Sequence, residues 1–291
     1  MLPDKHFPIL VTGAAGLLGR ALGPRLVMLA RQPDLVHQTD AVHIDVTDPR
    51  AVETAVRAIQ PRTIFHLAAY TDVDGAESHA ADALRLNADA AENVARAAAA
   101  AGAVMVQLST DFVFCGDFPG VLTEDAPIAP RGVYAETKAE GEARVRAAAP
   151  DHHLIVRTAW LYGAGKGFID AILGAARAGK PLSVITDQVG CPTWSEDLAR
   201  ALVALVAADA RGTFHACGAG EASRWEMAVE ALCAAGLDVP VARSLTAQYP
   251  RPAPRPTRAV LSTEKLERVA GFKFPAWQES VRAYVKSISD L

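Results

Sequence analysis

No two cysteines in this sequence have the CxxC spacing of a zinc or redox site: Cys115, Cys191, Cys217 and Cys233 are the complete set, and they lie far apart. That excludes a disulfide framework and suits reduced thiols in a cytoplasmic protein. Neither charge dominates, with 29 Lys and Arg against 33 Asp and Glu and a formal net charge of -4. No nucleic-acid polymer and no acidic membrane surface is therefore expected as a partner. No apolar run approaches the roughly 18 residues of a membrane span. The first residues include Pro3, Asp4, Lys5, His6 and Pro8, which make a poor signal peptide. Small-molecule chemistry in the cytoplasm is the expectation that remains.

What is present is apolar mass in an alternating order. Hydrophobic residues make up 51% of the 291 positions, ample for a sizeable core. Phe7 to Val11 is a short apolar run ending in Thr12-Gly13, after which Leu17, Leu18, Ala21 and Leu22 have helical spacing. Asp48-Pro49 caps a helix whose face is Val52, Ala55, Val56 and Ile59, and Pro61 stops it. Thr63 to Ala68 reads as a buried strand, 78 to 101 as the longest helix with Gly102 beyond its end, and Ala103 to Leu108 as the next strand. A helix from about 132 to 149 and a strand from Leu154 to Leu161 follow.

Strands alternating with helices predict an α/β fold, a Rossmann-type doubly wound parallel sheet. After residue 162 helices are expected at about 167 to 178, 195 to 208, 223 to 235 and 275 to 288, interrupted by the proline-rich stretch Pro250 to Pro256. The expected division is a dinucleotide-binding domain over 1–160, to which a segment near 183–208 returns, and a smaller substrate-binding lobe over 161–291.

Gly13, Gly16 and Gly19 form GxxGxxG between strand and helix. This spacing lets the backbone turn tightly, approach a diphosphate and start a helix, with Leu17 and Leu18 in its first turn, whose positive end faces the phosphates. NADPH or NADH is the expected cofactor. If the second strand is Val27 to Ala30, Arg31 follows it and favours a 2'-phosphate; the strand could instead lie near Leu35 to His37. Asp45 and Val46, after the run Ala41 to Ile44, are candidate adenine contacts.

Tyr134 and Lys138 form YxxxK within a predicted helix, one turn apart on the same face. A phenol with an ordinary pKa near 10 shuttles protons poorly at neutral pH, but a lysine cation and an oxidised nicotinamide would both favour its phenolate. Tyr134 could then protonate a carbonyl oxygen while hydride reaches the carbon. Thr110, in Leu108-Ser109-Thr110-Asp111 at the carboxyl end of a predicted parallel strand, is placed to hydrogen-bond that oxygen and the phenol.

Taken together, these blocks resemble the extended short-chain dehydrogenase/reductases and, within them, the dTDP-4-dehydrorhamnose reductase family. The resemblance runs nearly end to end, through Val11 to Gly16, Ala68 to Asp74, Ser109 to Phe114, Tyr134 to Gly141, Arg157 to Gly163 and Asp187 to Thr193. It implies NAD(P)H-dependent reduction of the 4-keto group of dTDP-4-dehydro-L-rhamnose. By matching positions it also implies that Tyr134, Lys138 and Thr110 are catalytic and that Asp111 and Trp160 line the sugar pocket. Ala69, Tyr70 and Thr71 fall on the cofactor loop, and Arg255 lies near the nucleotide diphosphate.

Some positions depart from the family pattern. Ala259 stands where serine is common, Phe112 replaces a common tyrosine, and Ala21 occupies a position at which some members place a magnesium-binding glutamate. No metal is therefore expected, while a homodimer by another mode stays open. A sugar-nucleotide dehydratase would carry Asp-Glu after the threonine, where this chain has Asp111-Phe112. The alternatives are a reductase of another 4-ketosugar nucleotide and a dinucleotide-binding regulator resembling the beta subunit of methionine adenosyltransferase. Trp160 and the block from Asp187 to Thr193 favour the reductase.

Overall fold

The apolar run after Phe7 becomes strand β1 (Ile9–Thr12), and the glycine turn passes the chain into helix α1 (Leu17–Leu29). This is a computed structural model, and it describes residues 2–30, 32–38, 44–116, 118–165 and 167–289. Next come β2 (Val36–Gln38), α2 (Pro49–Ile59) and β3 (Thr63–His66). A helical run then ends in α3 (Ala90–Ala100), followed by β4 (Val104–Thr110), α4 (Val133–Ala148) and β5 (His153–Thr158). Further on, α5 (Ser195–Ala207) leads into β6 (Gly212–His215). The strand order is β6-β5-β4-β3-β1-β2, and every neighbouring pair is parallel.

Alternation along the strands builds the layers. Ile9 and Val11, Phe65, Val106, and Leu154 and Val156 face α1 and α5. Leu10, Ile64, Met105 and Ile155 point the other way, onto α2, α3 and the Val145 end of α4. Each such buried side chain contributes roughly 1.5–3 kcal/mol, so a one-residue slip in any strand would reverse both faces at once. Asp48 caps α2 as its sequence predicts, its carboxylate accepting from the Arg50 N–H at 2.9 Å.

Two expectations are corrected. The run from Val27 to Leu29 is the last turn of α1, and the second strand is Val36–Gln38, in agreement with the alternative near Leu35 to His37. Arg31 therefore does not follow that strand; it lies outside the described residues, as does most of the run Ala41 to Ile44. The long helix expected over 78–101 is broken: Ala80–Leu84 passes through a π turn, Arg85–Asp89, before α3 begins. Helix α4 approaches that turn so closely that a Cβ on Gly141 would lie 2.1 Å from the Asn87 carbonyl oxygen. A π turn of this kind often marks a functional site.

The remaining chain forms a lobe around Tyr162, Leu173, Met227 and Trp277, with helices Phe168–Arg177, Arg224–Ala234 and Trp277–Ser289. Leu182–Ile185 pairs with Val241–Ser244 in this lobe, whereas α5 packs on α1 and β6 joins the large sheet. No helix among the described residues is long and apolar enough to cross a membrane. Strand order reverses between β1 and β3, and in open α/β sheets the crevice beyond such a reversal binds ligands.

Candidate active site

At that crevice the glycine turn is as tight as its spacing implies. Gly13 has φ +68°, and a Cβ there would lie 2.6 Å from the Ala68 nitrogen. On Gly19 a Cβ would meet the Ala14 carbonyl oxygen at 2.3 Å, so the first turn of α1 must pack bare against the loop. Gly16 starts α1 with no side chain capping the helix N–H groups, which leaves a positive helix end available to an anion. Gly13, Gly16, Leu17, Leu18 and Gly19 line one wall of a cleft of about 510 Å³, and Ala69 and Thr71 line the next. This bare, close-approach backbone fits a dinucleotide diphosphate.

Tyr70, Asp45 and Val46, also expected at the cofactor, do not line this cleft and make contacts within the chain. Tyr70 donates its backbone N–H to Asn87 Oδ1 at 2.9 Å, and its hydroxyl lies beside Gly75, where a Cβ would come within 3.1 Å of it. Asp45 closes its own turn, accepting from the Thr47 N–H at 2.9 Å and from its hydroxyl at 2.7 Å. Val46 is buried against the α2 side of the core.

The opposite wall carries the titratable groups. Thr110 ends β4, and Tyr134 and Lys138 face the same cleft from successive turns of α4. Burial pushes the Tyr134 phenol up to about 12, opposed by hydrogen bonding with the Thr110 hydroxyl and aided by the Asp111 charge. The expected lowering by the lysine is not expressed. Lys138 donates to the Leu108 carbonyl at 2.6 Å, and burial pulls its own pKa down to about 8 against the attraction of Glu142. Below it, burial would raise Glu142, but Arg157 grips both its oxygens at 2.9 and 2.8 Å and holds it below the usual carboxylate range. His66, paired with the Thr12 hydroxyl at 2.7 Å, is lowered to about 3 by burial and by the Lys138 charge, so it is neutral.

Asp111 is 2% exposed. Thr110 donates to its Oδ1 at 3.1 Å, while Oδ2 is buried without a partner. Burial raises its pKa to about 6, against the Thr110 hydrogen bond and the Arg224 charge. Trp160 lines the cleft beyond β5 in a left-handed backbone conformation, φ +44°. Such a conformation is rare for a bulky residue and concentrates at functional sites. Phe112 packs edge-on against the Tyr134 ring, with centroids 5.4 Å apart.

Two features had escaped the sequence. Asn87, in the π turn, ties the loop at Tyr70 to helix α4 by donating to the Thr137 hydroxyl at 3.1 Å. Arg224 reaches the cleft from the lobe, its guanidinium 3.6 Å above the Trp160 ring. An asparagine inside an alanine-rich helical run was a usable signal for the first; no local signal marked the second. Beyond Arg224 lies a larger cavity of about 690 Å³, lined by Tyr249, Arg251 and Arg255 among others. Arg255 thus sits away from Tyr134, and Asp74 binds it through both guanidinium nitrogens at 3.0 and 2.8 Å.

The model of the family described as RmlD substrate binding domain matches residues 7–289. A dTDP-4-dehydrorhamnose reductase of Streptomyces griseus is 41% identical over 263 residues, 88% of this chain and 86% of that one. Among solved structures, a dTDP-4-dehydrorhamnose reductase of Clostridium acetobutylicum superposes with a TM-score of 0.91 at 36% identity, covering 97% of this chain and 99% of that chain. The Bacillus anthracis dTDP-4-dehydrorhamnose reductase, solved in complex with NADP, does so at 0.87 and 32% identity, covering 96% and 98%.

Proposed function

The chain belongs to the RmlD substrate binding domain family, and from that premise we propose that it reduces the 4-keto group of dTDP-4-dehydro-L-rhamnose, with NADPH as the preferred cofactor. The observation that carries this reading is the convergence of Tyr134, Lys138 and Thr110 on the cleft that the glycine turn opens. A bound reduced nicotinamide supplies the hydride. Gly13, Gly16 and the first turn of α1 would hold its diphosphate.

The chain itself handles the proton. With its pKa pushed up to about 12, the Tyr134 phenol is protonated at neutral pH and ready to give its proton to the carbonyl oxygen. The Thr110 hydroxyl, whose hydrogen bonding restrains the rise of the phenol, gives its one proton to Asp111 Oδ1 and would turn it to the carbonyl oxygen when substrate binds. Lys138, still cationic near neutrality with a pKa of about 8, offsets the charge left on Tyr134. Trp160 and Asp111 would border the hexose. Without a carboxyl group at Phe112, the cleft is suited to reduction more than to elimination of water. The cytoplasm is where we place this reaction, and the mass of the purified protein in solution decides whether it works as a homodimer.

The test follows the absorbance of reduced nicotinamide with dTDP-4-dehydro-L-rhamnose and, in parallel, other 4-ketosugar nucleotides. Turnover that is greatest with the rhamnose precursor and absent in Tyr134→Phe supports the reading. Dinucleotide binding with no oxidation by any ketosugar would restore the regulator.

A further inference from the structure

We propose that Arg224 receives the diphosphate of the substrate, at the passage between the lobe cavity and the reaction cleft. The identity of the substrate rests on the reductase reading; the anion site rests on the position and surroundings of the guanidinium itself.

Among the described residues, Arg224 is the one that lines both the 690 Å³ cavity and the 510 Å³ cleft. In a nucleotide sugar the group that joins nucleoside to hexose is the diphosphate. A substrate with its hexose beside Tyr134 and its base among Tyr249, Val184 and Ile185 must therefore carry its two negative charges past Arg224.

The guanidinium is also free to receive them. It lies 3.6 Å from the Trp160 centroid and 5.5 Å from that of Phe168, and no hydrogen bond or ion pair engages it among the described residues. Stacking fixes the plane of the group and leaves its N–H edge for phosphate oxygens, a geometry that lysine does not reproduce. Arg255 differs, because Asp74 already occupies its N–H edge and also pairs with Arg251 at 3.6 Å. Asp111 attracts Arg224 and Arg255 repels it, while burial lowers its pKa to about 10. An arriving dianion supplies the counter-charge that this half-enclosed cation lacks.

Calorimetry with dTDP, with thymidine as the uncharged control and NADPH as the control for folding, tests the assignment without turnover. Arg224→Gln should weaken dTDP roughly 10- to 100-fold, the range for losing hydrogen bonds to a charged group. NADPH and thymidine binding should be unchanged, Arg224→Lys should fall between, and Arg255→Gln should lose less than Arg224→Gln. The assignment is overturned if Arg224→Gln keeps dTDP affinity within about threefold, a margin of under 1 kcal/mol, if thymidine weakens equally, if Arg255→Gln loses more, or if the wild type binds no dTDP. Wild type that binds dTDP through Arg224 yet reduces no ketosugar would keep the anion site and remove the reductase reading.

Discussion

The indole of Trp160 occupies the space that a side chain on Gly190 would need: a Cβ there would lie 2.5 Å from Trp160 Cε2. Gly190 thereby lets Trp160 hold its left-handed conformation against the cleft and under Arg224. Gly190→Ala should push the indole toward the substrate and raise the KM for the nucleotide sugar by about tenfold, since overpacking of this kind costs about 1–3 kcal/mol. Cofactor affinity should stay at the wild-type value because the glycine turn lies across the cleft. Steady-state kinetics beside NADPH titration checks both; an unchanged KM would mean that the indole does not border the sugar.

Tyr134→Phe removes the proposed proton donor and keeps the ring that packs against Phe112. A kcat lower by roughly 10²- to 10⁴-fold is expected, with the dissociation constant of NADPH unaltered. Near-normal turnover would remove Tyr134 from the chemistry.

Asp111 has a folded pKa of about 6 against an ordinary value of 3.8. Between those values the folded protein binds more protons than the unfolded chain, so this group makes stability fall as pH rises from about 4 to 6. Burial of its charge then costs on the order of 2–3 kcal/mol at neutral pH. Asp111→Asn should melt above the wild type at pH 7 and with it near pH 3.5. Melting curves that differ equally at both values would show that the carboxylate is not desolvated.

For Lys138 the sign is opposite. Its folded pKa is about 8 and its ordinary value 10.5, so the unfolded chain binds the extra proton in that interval. Stability from this residue therefore rises with pH across about 8 to 10.5, and the buried cation is a cost at neutrality. Lys138→Met should melt above wild type at pH 7, by a margin that closes as pH passes 10. The same substitution should lower turnover and weaken NADPH binding. Loss of all three effects would put the ammonium outside the cleft.

Much of this arrangement is local and so was legible without coordinates. The GxxGxxG spacing, the capped start of α2 and the placing of Tyr134 and Lys138 on one face of α4 each depend on residues within a turn or two of each other. Periodicity failed where it had too little chain to work on. Four apolar residues from Val27 to Ala30 suit a strand or the end of a helix equally, and only packing decides that Leu26 is buried while Met28 is 77% exposed.

By itself the sequence determined the doubly wound order and the residues of the proposed chemical centre, because hydrophobic period and short-range spacing are properties of one segment at a time. Only the tertiary structure decided that Asp74 binds Arg255, that Arg224 stacks on Trp160 between two cavities, and that Tyr134 is raised rather than lowered. Those outcomes depend on which distant segments share a low-dielectric space, and a side chain's charge and partners there are set by its surroundings in three dimensions, which no local spacing encodes.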